Sequence, residues 1–262
     1  MKVVILCGGK GMRLREETEY RPKPLVCIGD RPILWHIMNI YSHYGFRDFI
    51  LCLGYKGDMI KDYFLNYDEM NNDFTLQLGA KTKSVVFHDK DPIDNWRITF
   101  ADTGLHTNTG GRIARIQKYL QDDEHFFLTY GDGVADIDIN DLYAHHVKMG
   151  LLATLSGVRP LTPFGVIEPV KGRVRHFAEK PKERGYISGG FFVCSQGIFD
   201  FVTEDESCTW EREPLQTLAS KGQLAVYEHS GFWHCLDTMK HLEDLNEMHR
   251  VGNRPWAVWE HV

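Results

Sequence analysis

The chain opens on an aliphatic run, Val3–Leu6, that gives way to Gly8-Gly9. A short apolar run closed by glycine predicts a buried strand. Ile33, Leu34, Ile37, Met38 and Tyr41 then recur at helical spacing, behind a Pro32 suited to a first helical position. Residues 49–53 predict a second strand and 57–64 a second helix. Strand, helix, strand, helix implies parallel strands joined by crossovers. Further strands are predicted at 74–78, Ser84–His88, 97–101 and 125–129, and Ile113, Ile116 and Leu120 mark an amphipathic helix.

Beyond residue 138 the pattern changes. Strands at 151–158, 166–168, 174–177 and 189–194 come in closer succession, with helices near 198–202, 214–221 and 239–249. No linker, internal repeat or low-complexity stretch divides the chain. The expected fold class is α/β, a mostly parallel central sheet with helices on both faces plus a smaller strand-rich region. It is expected to be one domain over 1–262, with functional halves 1–138 and 139–262.

Composition narrows the class. Hydrophobic residues make up 43% of the chain, enough for a globular core and against disorder. A net charge of −6 argues against a general nucleic-acid binder, while leaving room for a local cationic site. No apolar run approaches the roughly 20 residues that span a bilayer, and the first apolar run is too short for a signal peptide. A cytoplasmic protein is expected. The six cysteines form no CxxC pair and sit mostly in apolar strings, so reduced, buried thiols are expected.

The candidate chemistry starts after the first strand, in Gly8-Gly9-Lys10-Gly11-Met12-Arg13. Glycines let backbone N–H groups approach phosphate oxygens, and Arg13 and Lys23 add a fork-shaped and a compact cation. The bland alternative is a tight strand-to-helix turn. A P-loop is excluded, because GxxxxGK followed by Ser or Thr is absent. Leu14 stands where a dinucleotide fingerprint needs a small third residue, which disfavours a nicotinamide enzyme.

Asp132 follows the strand at 125–129 between two glycines, at a carboxyl end where open parallel sheets bind ligands. It suits either a magnesium ion, which takes one or two carboxylates plus phosphate oxygens, or a turn bonded to its own backbone. Asp237 is either a second carboxylate or the cap of the helix beginning near Met239. Asp136 and Asp138 read as the loop and cap before a helix at Ile139. His234, Asp237 and His241 lack the ligand spacing of a zinc site, and His145-His146 read as helix surface. Lys180 stands past a strand, able to reach a phosphate or to sit solvated in a loop. Gly189-Gly190 permits either close approach of a ligand or a bulge.

Taken together, Gly8-Gly9-Lys10-Gly11-Met12-Arg13-Leu14, Pro22-Lys23-Pro24-Leu25, Gly131-Asp132-Gly133, Glu179-Lys180-Pro181 and Gly189-Gly190-Phe191-Phe192-Val193 resemble the sugar-phosphate nucleotidyltransferase family. The resemblance covers essentially the whole chain. Within the family, Asp102-Thr103-Gly104, Thr109-Gly110-Gly111-Arg112 and Gly231-Phe232-Trp233 with Asp237-Thr238 are similar to members that act on CTP and glucose 1-phosphate. A Rossmann-like nucleotide-diphospho-sugar transferase fold is implied.

The implied reaction is in-line attack by a sugar phosphate on the α-phosphorus of CTP, releasing pyrophosphate. The resemblance assigns Arg13 and Lys23 to catalysis. It assigns Leu6, Gly8, Gly9, Gly11, Met12, Thr103, Gly104, Gly110, Gly111 and Asp132 to the nucleotide. Tyr130, Lys180, Ser188, Gly190 and Trp233 would face the acceptor, and Asp132 and Asp237 would hold Mg2+.

Three sites depart from the pattern. Met12 replaces a threonine, Ser188 an asparagine, and Thr162-Pro163 a glycine-arginine pair. The last two open the alternative of another phosphorylated acceptor, sugar or not. A non-catalytic regulatory module on the same fold is a remoter alternative, disfavoured because Lys23, Asp132, Lys180 and Asp237 are all present. Aromatic residues near Trp96 and at 256–259 suit either a subunit interface, and so a homo-oligomer, or satellite core.

Overall fold

The computed structural model describes residues 1–79, 84–88, 95–160, 166–170, 173–178 and 185–260. Seven strands form the central sheet: β1 (Val3–Leu6), β2 (Asp48–Leu53), β3 (Arg97–Asp102), β4 (His125–Tyr130), β5 (Ala153–Val158), β6 (Ile187–Ser195) and β7 (Leu224–His229). Their spatial order is β7-β5-β6-β4-β1-β2-β3. β1 pairs in parallel with β2 and β4, β2 with β3, and β5 with β7. β6 alone runs antiparallel, against both β4 and β5.

Successive side chains of a strand point to opposite faces, and this alternation builds two cores. Val3, Ile5, Phe49, Leu51 and Phe127 face one side, where α1 (Ile33–His43), α2 (Gly57–Leu65), α4 (Ile139–Met149) and α6 (Met239–Arg250) contribute apolar residues. Val4, Leu6, Ile50, Cys52, Phe126 and Leu128 face the other, beneath α3 (Thr109–Arg115) and α5 (Glu213–Ser220). At about 25 cal/mol per Å², burial on both faces is the dominant stabilising term.

Most predicted elements are present within one or two residues. The strands of the second half differ in destination, since β5, β6 and β7 extend the same sheet. Among the described residues, short two-stranded pairs stand outside it, including Val166–Val170 with Arg173–Ala178 and Gly133–Ala135 with Trp233–Cys235. The segment predicted as helix near 198–202 is a 3-10 helix, Gln196–Phe201. His146 is not on the surface. It is 1% exposed, and its ring bonds the hydroxyls of Thr154 at 2.9 Å and Ser195 at 3.1 Å. Trp256 is fully buried in the first core, and the half-buried Trp96 packs against it on Phe49. Glu179, Lys180, Pro181, Thr162 and Pro163 lie outside the described residues.

Candidate active site

A cavity of about 350 Å³ opens at the carboxyl ends of β1 and β4. Its floor is the glycine loop. Gly11 takes a left-handed conformation, φ +61°, and a Cβ there would lie 2.6 Å from Thr18 Cγ2. Only glycine holds that bend without strain. Gly9 has nothing within 4 Å of its Cβ position, so its backbone faces open space. Met12 and Arg13 are each 76% exposed. Both line the open side of the cavity.

Lys23 starts a 3-10 turn, Lys23–Leu25, made possible by Pro22 in extended backbone. Its ammonium lies 2.7 Å from Asp132 and 2.6 Å from Asp237. Those carboxylates are 105 positions apart in sequence, and a small strand pair brings them together. Cys235 pairs with Gly133, and Leu236 N–H donates to Asp132 O at 2.8 Å. Arg13 completes the set at 2.9 Å from Asp237. The cap of α6 is Thr238, whose hydroxyl accepts from His241 N–H, so the Asp237 carboxylate is turned to the two cations, with Cys235 Sγ also donating to Oδ2 at 3.8 Å. Among the described residues no three His, Cys, Asp or Glu side chains gather as a metal cage, and His241 Nδ1 accepts instead from Asp237 N–H.

Burial alone would lower the Lys23 pKa, but the two carboxylates outweigh it and hold the ammonium above the ordinary lysine value. Burial pushes Asp237 up, and Lys23 and Arg13 more than reverse this, leaving it below the usual carboxylate range. Lys23 and Asp237 thus hold each other in their charged forms.

Behind the loop lies Arg112, buried to 3% exposure and without a carboxylate partner in the described hydrogen bonds. It donates to the carbonyls of Gly8 at 3.0 Å, Leu53 at 2.8 Å and Gly104 at 2.8 Å, and to Thr103 Oγ1 at 2.7 Å. Burial lowers its pKa. Arg112 stands in a quoted motif string, but its spacing carried no signal for this role.

The family profile for nucleotidyl transferases matches residues 2–250. The glucose-1-phosphate cytidylyltransferase of Salmonella typhi is 47% identical over 99% of this chain and 100% of its own length. A mannose-1-phosphate guanyltransferase of Xenopus laevis is 29% identical over 89% of this chain and 60% of its own. The crystal structure of HddC from Yersinia pseudotuberculosis superposes with a TM-score of 0.70 at 22% identity, over 95% of this chain and 99% of that one. The chain belongs to the nucleotidyl transferase family.

Other anticipated site residues fall into two groups in this nucleotidyl transferase. Leu6, Gly8, Gly9, Gly11, Met12, Arg13, Lys23, Tyr130 and Asp132 line the cavity, joined by Thr107, Asn108 and Thr109. Thr103, Gly104, Gly110 and Gly111 lie behind that wall. Thr103 Oγ1 is used by Leu53 O and Arg112, and a Cβ on Gly110 or Gly111 would meet Cys208 Sγ or Asp205 O at 2.5 Å. Of the residues expected at the acceptor, Gly190 has φ +81° and approaches a side chain: its Cβ would lie 2.6 Å from Tyr130 Cδ2. The register of β5 against β6 shifts next to it, so the glycine pair marks a bulge. Ser188 is exposed on β6 opposite Gly157, and Trp233 Nε1 donates to Gly189 O at 2.7 Å.

Proposed function

We propose that this nucleotidyl transferase joins CTP to glucose 1-phosphate, giving a CDP-sugar and pyrophosphate. The observation that carries the reading is Lys23 held between Asp132 and Asp237 at the lip of a glycine-floored cavity. The 47% identity to the Salmonella cytidylyltransferase supports the choice of nucleotide and sugar.

The chemical difficulty is bringing two polyanions together. Unit charges about 4 Å apart repel by roughly 1 kcal/mol in water and about 4 kcal/mol at an effective dielectric near 20. The second pKa of a phosphate monoester is about 6, so the attacking oxygen is ionised at neutral pH and needs no general base. Lys23 meets the charge developing at the α-phosphate. Arg13, exposed and paired with Asp237, swings to the departing β- and γ-phosphates. Lys180 takes the acceptor's phosphate, by its place in the family motif. Asp132 and Asp237 converge on one cation and offer only oxygen, which fits Mg2+. When bound, the ion neutralises phosphate charge and fixes the geometry of transfer. Tyr130 and Gly190 shape the acceptor side.

The protein works in the cytoplasm, where the buried thiols of Cys7, Cys52 and Cys194 stay reduced. A homo-oligomer is supported by the two-stranded ribbon Asp73–Gln77 and Ser84–His88, which exposes Phe74, Leu76 and Val86. Light scattering behind size exclusion tests it, and a monomer at all concentrations overturns it.

The functional test is pyrophosphate release from CTP and glucose 1-phosphate with magnesium, beside parallel ATP, GTP, UTP and dTTP reactions. Release with CTP alone supports both substrates. No release with any nucleotide overturns glucose 1-phosphate as acceptor and sends the search to other phosphorylated acceptors.

A further inference from the structure

Glu211 is exposed, in the segment before α5, and no motif or charge pattern marked it. Its two carboxylate oxygens are both in use at the cavity wall. Tyr130 donates its hydroxyl to Oε1 at 2.5 Å, and Thr109 donates its hydroxyl to Oε2 at 2.6 Å. Both donors line the cavity.

A carboxylate accepts only, and a hydroxyl has one proton to give. Both protons are therefore committed to Glu211. Thr109 Oγ1 also accepts the Trp210 N–H at 2.9 Å, which fixes its direction from a second side. The Tyr130 ring cannot swing away, because Gly190 leaves it no more than a hydrogen's room and Phe192 packs edge-on at 6.1 Å. Burial, and then the Glu211 carboxylate, push the Tyr130 phenol upward, so it stays neutral. What remains for the cavity at these two positions is lone pairs. The cations Arg13 and Lys23 stand elsewhere on the wall, on the Asp237 side.

We infer that Glu211 is a positioning residue that makes Tyr130 and Thr109 hydrogen-bond acceptors, so that this wall selects an N–H or O–H donor of the substrates and turns phosphate oxygens away. The inference rests on the transfer reading above. Two donors answer the description. One is the exocyclic amine of cytosine, where uracil presents a carbonyl oxygen. The other is a hydroxyl of the acceptor sugar.

Steady-state kinetics of the wild type, E211Q and Y130F, with CTP, UTP and glucose 1-phosphate varied in turn, test it. Glutamine keeps the shape of glutamate but donates from its amide side, so one hydroxyl must turn its proton inward. In E211Q the KM of one substrate is expected to rise roughly tenfold while kcat changes little, the loss of about one hydrogen bond. A rise for CTP, with a narrowed preference over UTP, identifies the amine. A rise for glucose 1-phosphate identifies the sugar hydroxyl. Y130F is expected to move the same KM. Unchanged KM values and nucleotide preference in E211Q, or a loss confined to kcat, overturn the inference. Calorimetric affinities of wild type and E211Q for CTP and glucose 1-phosphate separate the two readings. A wild type that binds both yet releases no pyrophosphate sinks the transfer reading, and equal affinities in the variant sink the role of Glu211.

Discussion

The Arg112 guanidinium fills the volume that a side chain on Gly8 would need: a Cβ there would lie 2.1 Å from Nη1 and 2.2 Å from Cζ. The same group donates to the Gly8 carbonyl at 3.0 Å. One buried cation, answered by backbone oxygens, therefore ties the glycine loop to the ends of β2 and β3. A buried polar group of this kind stabilises only while every partner is present.

Gly8→Ala must displace the guanidinium, because the three heavy atoms nearest its Cβ all belong to that group. We expect a loss of about 2 kcal/mol in urea unfolding, with pyrophosphate release falling in parallel. Arg112→Met leaves three carbonyls without this donor and is expected to cost about 3 kcal/mol. Wild-type unfolding midpoints in both variants would show that the loop does not depend on this contact.

His146 and His36 predict the acid limb of stability. Burial lowers each to about 4 from an ordinary 6.5. The unfolded chain therefore takes up these protons first as pH falls. The contribution of each ring is fully present above about pH 6.5 and is lost as pH falls through about 4. A shift of that size corresponds to about 3 kcal/mol per ring at most. His146→Gln should lower stability at pH 8, through the Thr154 and Ser195 bonds, yet lose less than the wild type between pH 6.5 and 4. Parallel curves for the two proteins, from urea titrations across that range, would refute the assignment.

Gly190→Ala combines two penalties. At φ +81° an alanine is strained, and its Cβ would press the Tyr130 ring at 2.6 Å. The strain costs about 1–3 kcal/mol, and the displaced ring loses its hold on Glu211. The expected outcome is a lower melting temperature together with a raised KM for the substrate that E211Q affects. Ser188→Ala, on the exposed end of β6, is expected to leave the melting temperature unchanged.

The sheet was legible wherever a strand is buried on both faces, as in Val3–Leu6 and Phe126-Phe127-Leu128, because such strands read as unbroken apolar runs. β7 went unread because its residues, Leu224 to His229, are half-buried or exposed except for Ala225, and partly charged. Lys23, Asp132 and Asp237 were legible as chemistry but not as neighbours. Their meeting depends on the pairing of Cys235 with Gly133, a three-residue strand too short to show periodicity. Arg112 and Glu211 carried no signal, since an arginine on a short helix and a glutamate in a polar loop look solvated until the partners appear. His146 misled for a related reason: its hydroxyl partners, Thr154 and Ser195, come from other elements.

Lys23 offers the sharpest separation of stability from chemistry. Its ammonium holds together two carboxylates that repel once it is gone, so Lys23→Met should restore the Asp237 carboxyl toward the ordinary range. In the wild type the depressed Asp237 contributes stability that is present above about pH 4 and lost as pH falls through its lowered pKa. The raised Lys23 contributes stability below its ordinary 10.5, lost as pH rises through its higher folded value. The variant should lose both limbs while remaining folded at pH 7. Turnover should fall about 100-fold or more, because the charge developing at the α-phosphate loses its nearest cation. With that cation removed, the two carboxylates should bind Mn2+ more tightly without nucleotide than the wild type does, measured by electron paramagnetic resonance. Unchanged turnover would remove Lys23 from the chemistry. Unchanged Mn2+ affinity would mean that Asp132 and Asp237 do not share a metal.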